Sequence, residues 1–144
     1  MVLELRMNDE EQASFDKDRA HLPKKLTGAQ AWYGPNMLSS TTWIYSLSDQ
    51  DINEINIALK TTENLDIAAI TKEDFQLPNL SQTLREIQNE VINGRGFALI
   101  RGLPVKNWSM KQSATAYYGI GMHIGRARSQ NAMGHILGHV RDLG

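Results

Sequence analysis

The stretch SQNAMGHILGHVRDLG, residues 129–144, gathers the chain's most conspicuous set of reactive side chains. Two imidazoles and a carboxylate, His135, His139 and Asp142, stand close together there. A pair of histidines four residues apart with an acid nearby has the spacing of a zinc site, because on a helix such residues share a face. Glycines at 134 and 138 oppose that helix. On a strand, positions 135, 137 and 139 share one face, and His135 and His139 then stand roughly 13 Å apart. One ion does not span that gap without a bend, and Asp142 falls on the opposite face. The histidines are therefore read first as groups that bond backbone carbonyls or line a polar crevice. A divergent metal site of His135, His139 and Asp142 is the weaker alternative.

Other catalytic signatures are absent. The chain has no G-x-S-x-G, no phosphate-binding P-loop, no H-E-x-x-H and no G-x-G-x-x-G opening a helix. It has no cysteine, which excludes disulfides, thiolate metal sites and cysteine nucleophiles, and favours an intracellular setting. Gly119 and Gly121 fall inside a helical pattern and read as a place of close helix packing. Arg126 and Arg128 read as a solvated loop, with pairing to a carboxylate ligand as the functional alternative.

The elements that must position these groups follow from periodicity. Residues 1–25 are polar, with DEEQ and DKDR runs, and read as an N-terminal arm ahead of one domain over 26–144. Residues 31–45, AWYGPNMLSSTTWIY, turn at Gly34-Pro35, and Trp32, Tyr33 and Trp43 are expected to pin that loop to a neighbouring surface, with an aromatic ligand wall as the alternative. Ser48 is the expected N-cap of a first helix whose apolar face is Ile52, Ile55 and Leu59, with Asp49 and Asp51 in its first turn. A connector with a short strand or turn near 65–70 follows, and ITKEDFQLP reads as a capped helical turn stopped by Pro78. Leu80, Leu84, Ile87 and Val91 mark a second helix, capped by Ser81 and ended at Asn93-Gly94. Phe97 to Ile100, an apolar run between glycines, reads as a buried strand. Ser109 opens a third helix with Met110, Ala114, Tyr117 or Tyr118, and Ile120 or Gly121 along its faces, ending near Gly125. Residues 132–143 read as a turn plus a strand. This is an α+β order with too few strands for a stable sheet.

With 144 residues, 41% hydrophobic and 22% charged, the composition is that of one ordinary globular domain. A net charge of −1 gives no electrostatic footprint for nucleic acid or an acidic membrane. The N-terminus lacks the apolar core of a secretory signal, and no apolar run approaches the ~20 residues that span a bilayer. The expectation is a soluble cytoplasmic protein.

Three segments together carry a resemblance: NGRGFALIRGLP (93–104), GIGMHIGR (119–126) and SQNAMGHILGHVRDLG (129–144), preceded by LTGAQAWYG (26–34). They resemble the N-terminal part of the TauD/TfdA-like group, the taurine-dioxygenase-like or clavaminate-synthase-like Fe(II)/2-oxoglutarate-dependent oxygenases. The resemblance implies the N-terminal helices and first strands of a double-stranded β-helix, or jelly-roll, left incomplete here. It implies an oxidoreductase that uses Fe(II), 2-oxoglutarate and oxygen to hydroxylate a small organic substrate. In that group iron is held by two histidines and a carboxylate, the first two ligands lying in H-x-D or H-x-E. This chain departs from the pattern. Its four histidines are followed two positions later by Pro23, Gly125, Leu137 and Arg141. The iron motif is thus expected beyond Gly144, with no catalytic or metal-binding residue in this chain and no cofactor bound to it alone. Gln130 and Asn131, after the third helix, are the substrate-binding candidates that the resemblance implies. His139, Arg141 and Asp142 are candidates for supporting that pocket.

Two readings result. In the first, the chain is the inactive front part of an oxygenase. In the second, it is a truncated, non-catalytic paralogue that works as a binding module. An incomplete sheet edge also predicts self-association.

Overall fold

The computed structural model describes residues 27–129, 132 and 134–138. The N-terminal arm over 1–25 lies outside the described residues, as does the distal half of the strand expected at 132–143. The elements run α1 (Gly34–Leu38), β1 (Ile44–Ser46), α2 (Asp49–Thr61), a 3-10 turn (Ile67–Ala69), α3 (Leu80–Asn93), β2 (Leu99–Arg101) and α4 (Met110–Ile124). The result is mixed helix and sheet. α4 packs against α3, α2 and the 3-10 turn, while β1 and β2 pair in parallel with Tyr45 opposite Ile100.

Two of the long helices start for a local cause. Ser48 caps α2: its Oγ accepts from Asp51 N at 3.2 Å, and Asp51 Oδ2 accepts in return from Ser48 N at 2.8 Å. Tyr45 in β1 donates to the same carboxylate at 2.9 Å, so one side chain ties strand to helix. Burial works to raise the Asp51 pKa. The bonds from Ser48 and Tyr45 outweigh it and hold the carboxyl below its ordinary value. Ser109 caps α4 in the same reciprocal way with Gln112.

α3 is started differently from the expected cap at Ser81. Its N-cap residue is Asn79, which makes no side-chain cap. The carboxylate of Glu54, buried on α2, instead accepts from Asn79 N and Leu80 N, both at 3.1 Å. A negative group on the positive end of a neighbouring helix satisfies donors that have no partner within that helix. This cap lies 26 residues away in the chain, so no local pattern announces it.

The strand expected at 97–100 is observed at Leu99–Arg101. Its partner is Ile44–Ser46, which overlaps the end of the segment expected to be an aromatic loop. Gly102 closes β2 with φ of +98°, a left-handed conformation that favours glycine, beside the Leu47 backbone. Residues 134–138 are irregular chain, with Ile136 and Leu137 packed against the core. The connector forms a 3-10 turn capped by Asp66, and Thr71 and Asp74 cap the helical turn before Pro78. Trp32 and Trp43 meet Phe97 edge to face at 5.2 and 5.8 Å, as the pinned loop required, whereas Tyr33 is 71% exposed and pins nothing.

The core is Ile55, Ala58 and Leu59 of α2, Leu80 and Leu84 of α3, Ala116, Tyr118 and Ile120 of α4, and the connector residues Ile70, Phe75 and Leu77. Val91 and Met110 lie exposed, so the buried stripes of α3 and α4 are narrower than their periodicity suggested. Phe75 occupies the centre. Its ring fills the notch at Gly119, where any Cβ would overlap it, while a Cβ at Gly121 would meet open space.

The two glycines therefore separate packing from propensity. Gly119→Ala is expected to lose about 1–3 kcal/mol of stability by overpacking. Gly121→Ala is expected to be neutral or to gain up to about 1 kcal/mol from helix propensity. Urea denaturation of both variants checks this, and equal effects would refute the notch.

Candidate functional site

The last turn of α4 is held from inside. His123 is buried and its Nε2 meets the Phe75 carbonyl at 2.7 Å. A carbonyl only accepts, so Nε2 carries the proton and donates. The other ring nitrogen, Nδ1, is buried with no hydrogen-bond partner among the described residues. Gln88 of α3 donates to the Ile124 carbonyl, fixing the end of the same helix. At the far end Trp108 Nε1 donates to Asn56 Oδ1 at 3.1 Å and Lys111 Nζ to the Glu63 carbonyl at 2.7 Å. α4 is thereby clamped at both ends.

On the side of α4 away from Phe75 lies an open, mainly apolar groove of about 590 Å³. Ile100 and Leu103 line it, as do Tyr117 and Ile124 of α4 and Ile136 and Leu137 of the returning chain. Arg126 and Arg128 stand at its lining too. Its volume is in the range of small-molecule sites.

Gln130, Asn131, His139, Arg141 and Asp142 all lie outside the described residues. His135 is described and exposed; its proposed co-ligands His139 and Asp142 are outside. Among the described residues, no three His, Cys, Asp or Glu side chains gather to hold a metal ion. The described residues therefore do not fit an iron centre: His123 is committed to Phe75, and no carboxylate joins it. Among the described residues, no helix is long and apolar enough to cross a membrane.

The sequence reading missed Phe75, and with it the role of His123. ITKEDFQLP reads in sequence as a capped helical turn, and its one aromatic was the available signal. It also missed the groove, whose walls come from three separate segments.

Comparison with known proteins gives two relatives. No family model matches the chain. A taurine hydroxylase-like protein of Stachybotrys chartarum is 29% identical over 133 residues, which is 88% of this chain and 34% of that protein. The FR-33289 synthase of Streptomyces rubellomurinus is 25% identical over 128 residues, 85% of this chain and 37% of that protein. The chain spans about a third of the length of these curated relatives.

Burial holds the His123 imidazole below its ordinary value of 6.5; the Phe75 bond opposes this, and nearby Lys72 and Arg85 add to the depression while Glu73 opposes it. The unfolded chain thus takes up a proton near the ordinary value while the folded chain stays neutral. This stability is complete above that value and is lost as pH falls toward the lower folded pKa. Asp51 and Asp74, also held low, lose theirs further down, below the carboxylate value of 3.8. The urea midpoint is expected to drop between about pH 7.5 and about pH 5.5, and His123→Gln should remove part of that drop. An unchanged drop in the variant would refute the assignment.

Proposed function

We propose that this chain, TauD-like over most of its length, is the front part of a cytoplasmic Fe(II)/2-oxoglutarate-dependent dioxygenase. The full protein would hydroxylate a small organic substrate and release succinate and carbon dioxide. The observation that carries this reading is the similarity of most of the chain to two relatives about three times its aligned length, one of them taurine hydroxylase-like.

In this reading the chain supplies a scaffold. Its helices cover one side of a jelly-roll whose remaining strands and iron ligands come from the rest of the protein. The described residues offer no donor set for iron. No reaction step is therefore assigned to them. Their contribution is to hold α4 in place and to lead the chain from its end toward a substrate pocket. Gln130 and Asn131 supply polar contacts there, with His139, Arg141 and Asp142 in support. Iron and 2-oxoglutarate, when bound in the complete protein, supply the oxidising chemistry.

The isolated chain given Fe(II), 2-oxoglutarate and oxygen is expected to form no succinate. A chimera in which this chain replaces the matched segment of the Stachybotrys relative is expected to form succinate above the level of the chain alone. Turnover by the isolated chain, or a folded chimera with no keto-acid turnover, would count against the reading.

A further inference from the structure

α3 ends on the pair Asn93-Gly94, the one Asn-Gly in the sequence. In such a pair no side chain shields the backbone nitrogen that follows the asparagine, which makes it the dipeptide most open to ring closure. Here the glycine is required by space. A Cβ at Gly94 would stand 2.8 Å from the Glu90 carbonyl oxygen and 2.5 Å from its Oε2. Asn93 itself is exposed. Glu90 grips the bend that follows. Its carbonyl accepts from Gly94 N at 3.1 Å and from Gly96 N at 3.3 Å. Its Oε1 accepts from Arg95 N at 3.2 Å and pairs with Arg95 Nε at 3.1 Å. Arg95 Nη2 donates onward to Thr42 Oγ1 at 3.2 Å, which ties the bend to the segment ahead of β1. The Asn93 amide is engaged too, donating to Asn89 Oδ1 at 2.8 Å.

We infer that Asn93 is a site of spontaneous deamidation held in check by Glu90, converting when the last turn of α3 frays while the rest of the fold persists. The step needs water and no other reactant. The Gly94 backbone nitrogen bonds to Asn93 Cγ, the bond from Cγ to Nδ2 breaks, and the amide nitrogen leaves as ammonia with the proton from Gly94 N. Water then opens the cyclic imide at either carbonyl and leaves aspartate or isoaspartate. In the folded chain both reacting groups are committed, the Gly94 N–H to Glu90 and the Asn93 amide to Asn89. Helix ends open locally at far smaller cost than a whole domain, so fraying governs the rate. The product places a carboxylate three residues from Glu90, at the negative end of the helix. The helix dipole and the like charge both oppose it there. Isoaspartate also lengthens the backbone at that point. Deamidation is therefore a one-way loosening of the joint between α3 and the segment ahead of β1.

The test ages the chain at neutral pH and follows peptide 86–95, which trypsin releases by cutting after Arg85 and Arg95. Mass spectrometry reads the gain in mass, and chromatography resolves aspartate from isoaspartate. The folded chain is expected to convert Asn93 on the order of tenfold more slowly than the same chain unfolded in guanidinium. Glu90→Ala removes the side-chain contacts to Arg95 and is expected to raise the folded rate several-fold. Gly119→Ala strains the core without touching this joint and is expected to keep the wild-type rate. Equal rates in the folded and unfolded chain, no Asn93 product from the unfolded chain, or an unchanged rate in Glu90→Ala overturns the proposal. A rise in Gly119→Ala as large as that in Glu90→Ala overturns it in favour of global unfolding. Thr42→Val, which removes only the acceptor of Arg95, repeats the comparison if Glu90→Ala does not fold. Asn93→Asp is expected to speed amide hydrogen exchange over residues 94–96, and unchanged exchange there overturns the loosening.

Discussion

The grip of one connector residue on one helix organises this structure. Phe75 sits in a turn with no regular partner, yet its ring enters the notch at Gly119 and its carbonyl takes the proton of His123. Those two positions are one turn apart on α4, so a single residue sets both the depth and the rotation of the helix. The consequence reaches the opposite face. With Gly119 and His123 turned inward, Tyr117, Gly121 and Ile124 must line the groove.

Carboxylates do the corresponding work around α2. Asp51 gathers Ser48 and Tyr45, joining β1 to the helix. Glu54, one turn on, caps α3. Both are buried and both are matched by donors, which is the condition under which burial of such a group is sustainable. The sheet and the helices are thus fixed to each other by two acids on one face of one helix. The groove borders Ile100 because β1 and α4 are both tied to that helix.

Much of this was legible in the chain because it is local. The Ser48 and Ser109 caps, the long helices and the apolar run near Leu99 all follow from residues within a turn or two of each other. What escaped was long-range. The Glu54 cap, the pairing of Ile44–Ser46 with Leu99–Arg101 and the Phe75–His123 bond join residues distant in sequence, and periodicity carries no information about such partners. Tyr117 and Tyr118 show the limit clearly. Both fit the helix pattern, but only packing decides that Tyr118 is buried and Tyr117 exposed. The candidate site divides in the same way. The candidates Gln130, Asn131, His139, Arg141 and Asp142 came from resemblance and lie outside the described residues. Its apolar walls came from the fold.

In the proposed reading these residues are a rigid platform for chemistry performed by groups that the described residues do not supply. Its most direct test is to sequence the transcript and the genomic DNA beyond the codon for Gly144. The expected result is an in-frame continuation carrying H-x-D or H-x-E, with a further histidine and an arginine downstream. A stop codon at that point, in both transcript and genome, with no such motif following in frame, would contradict it.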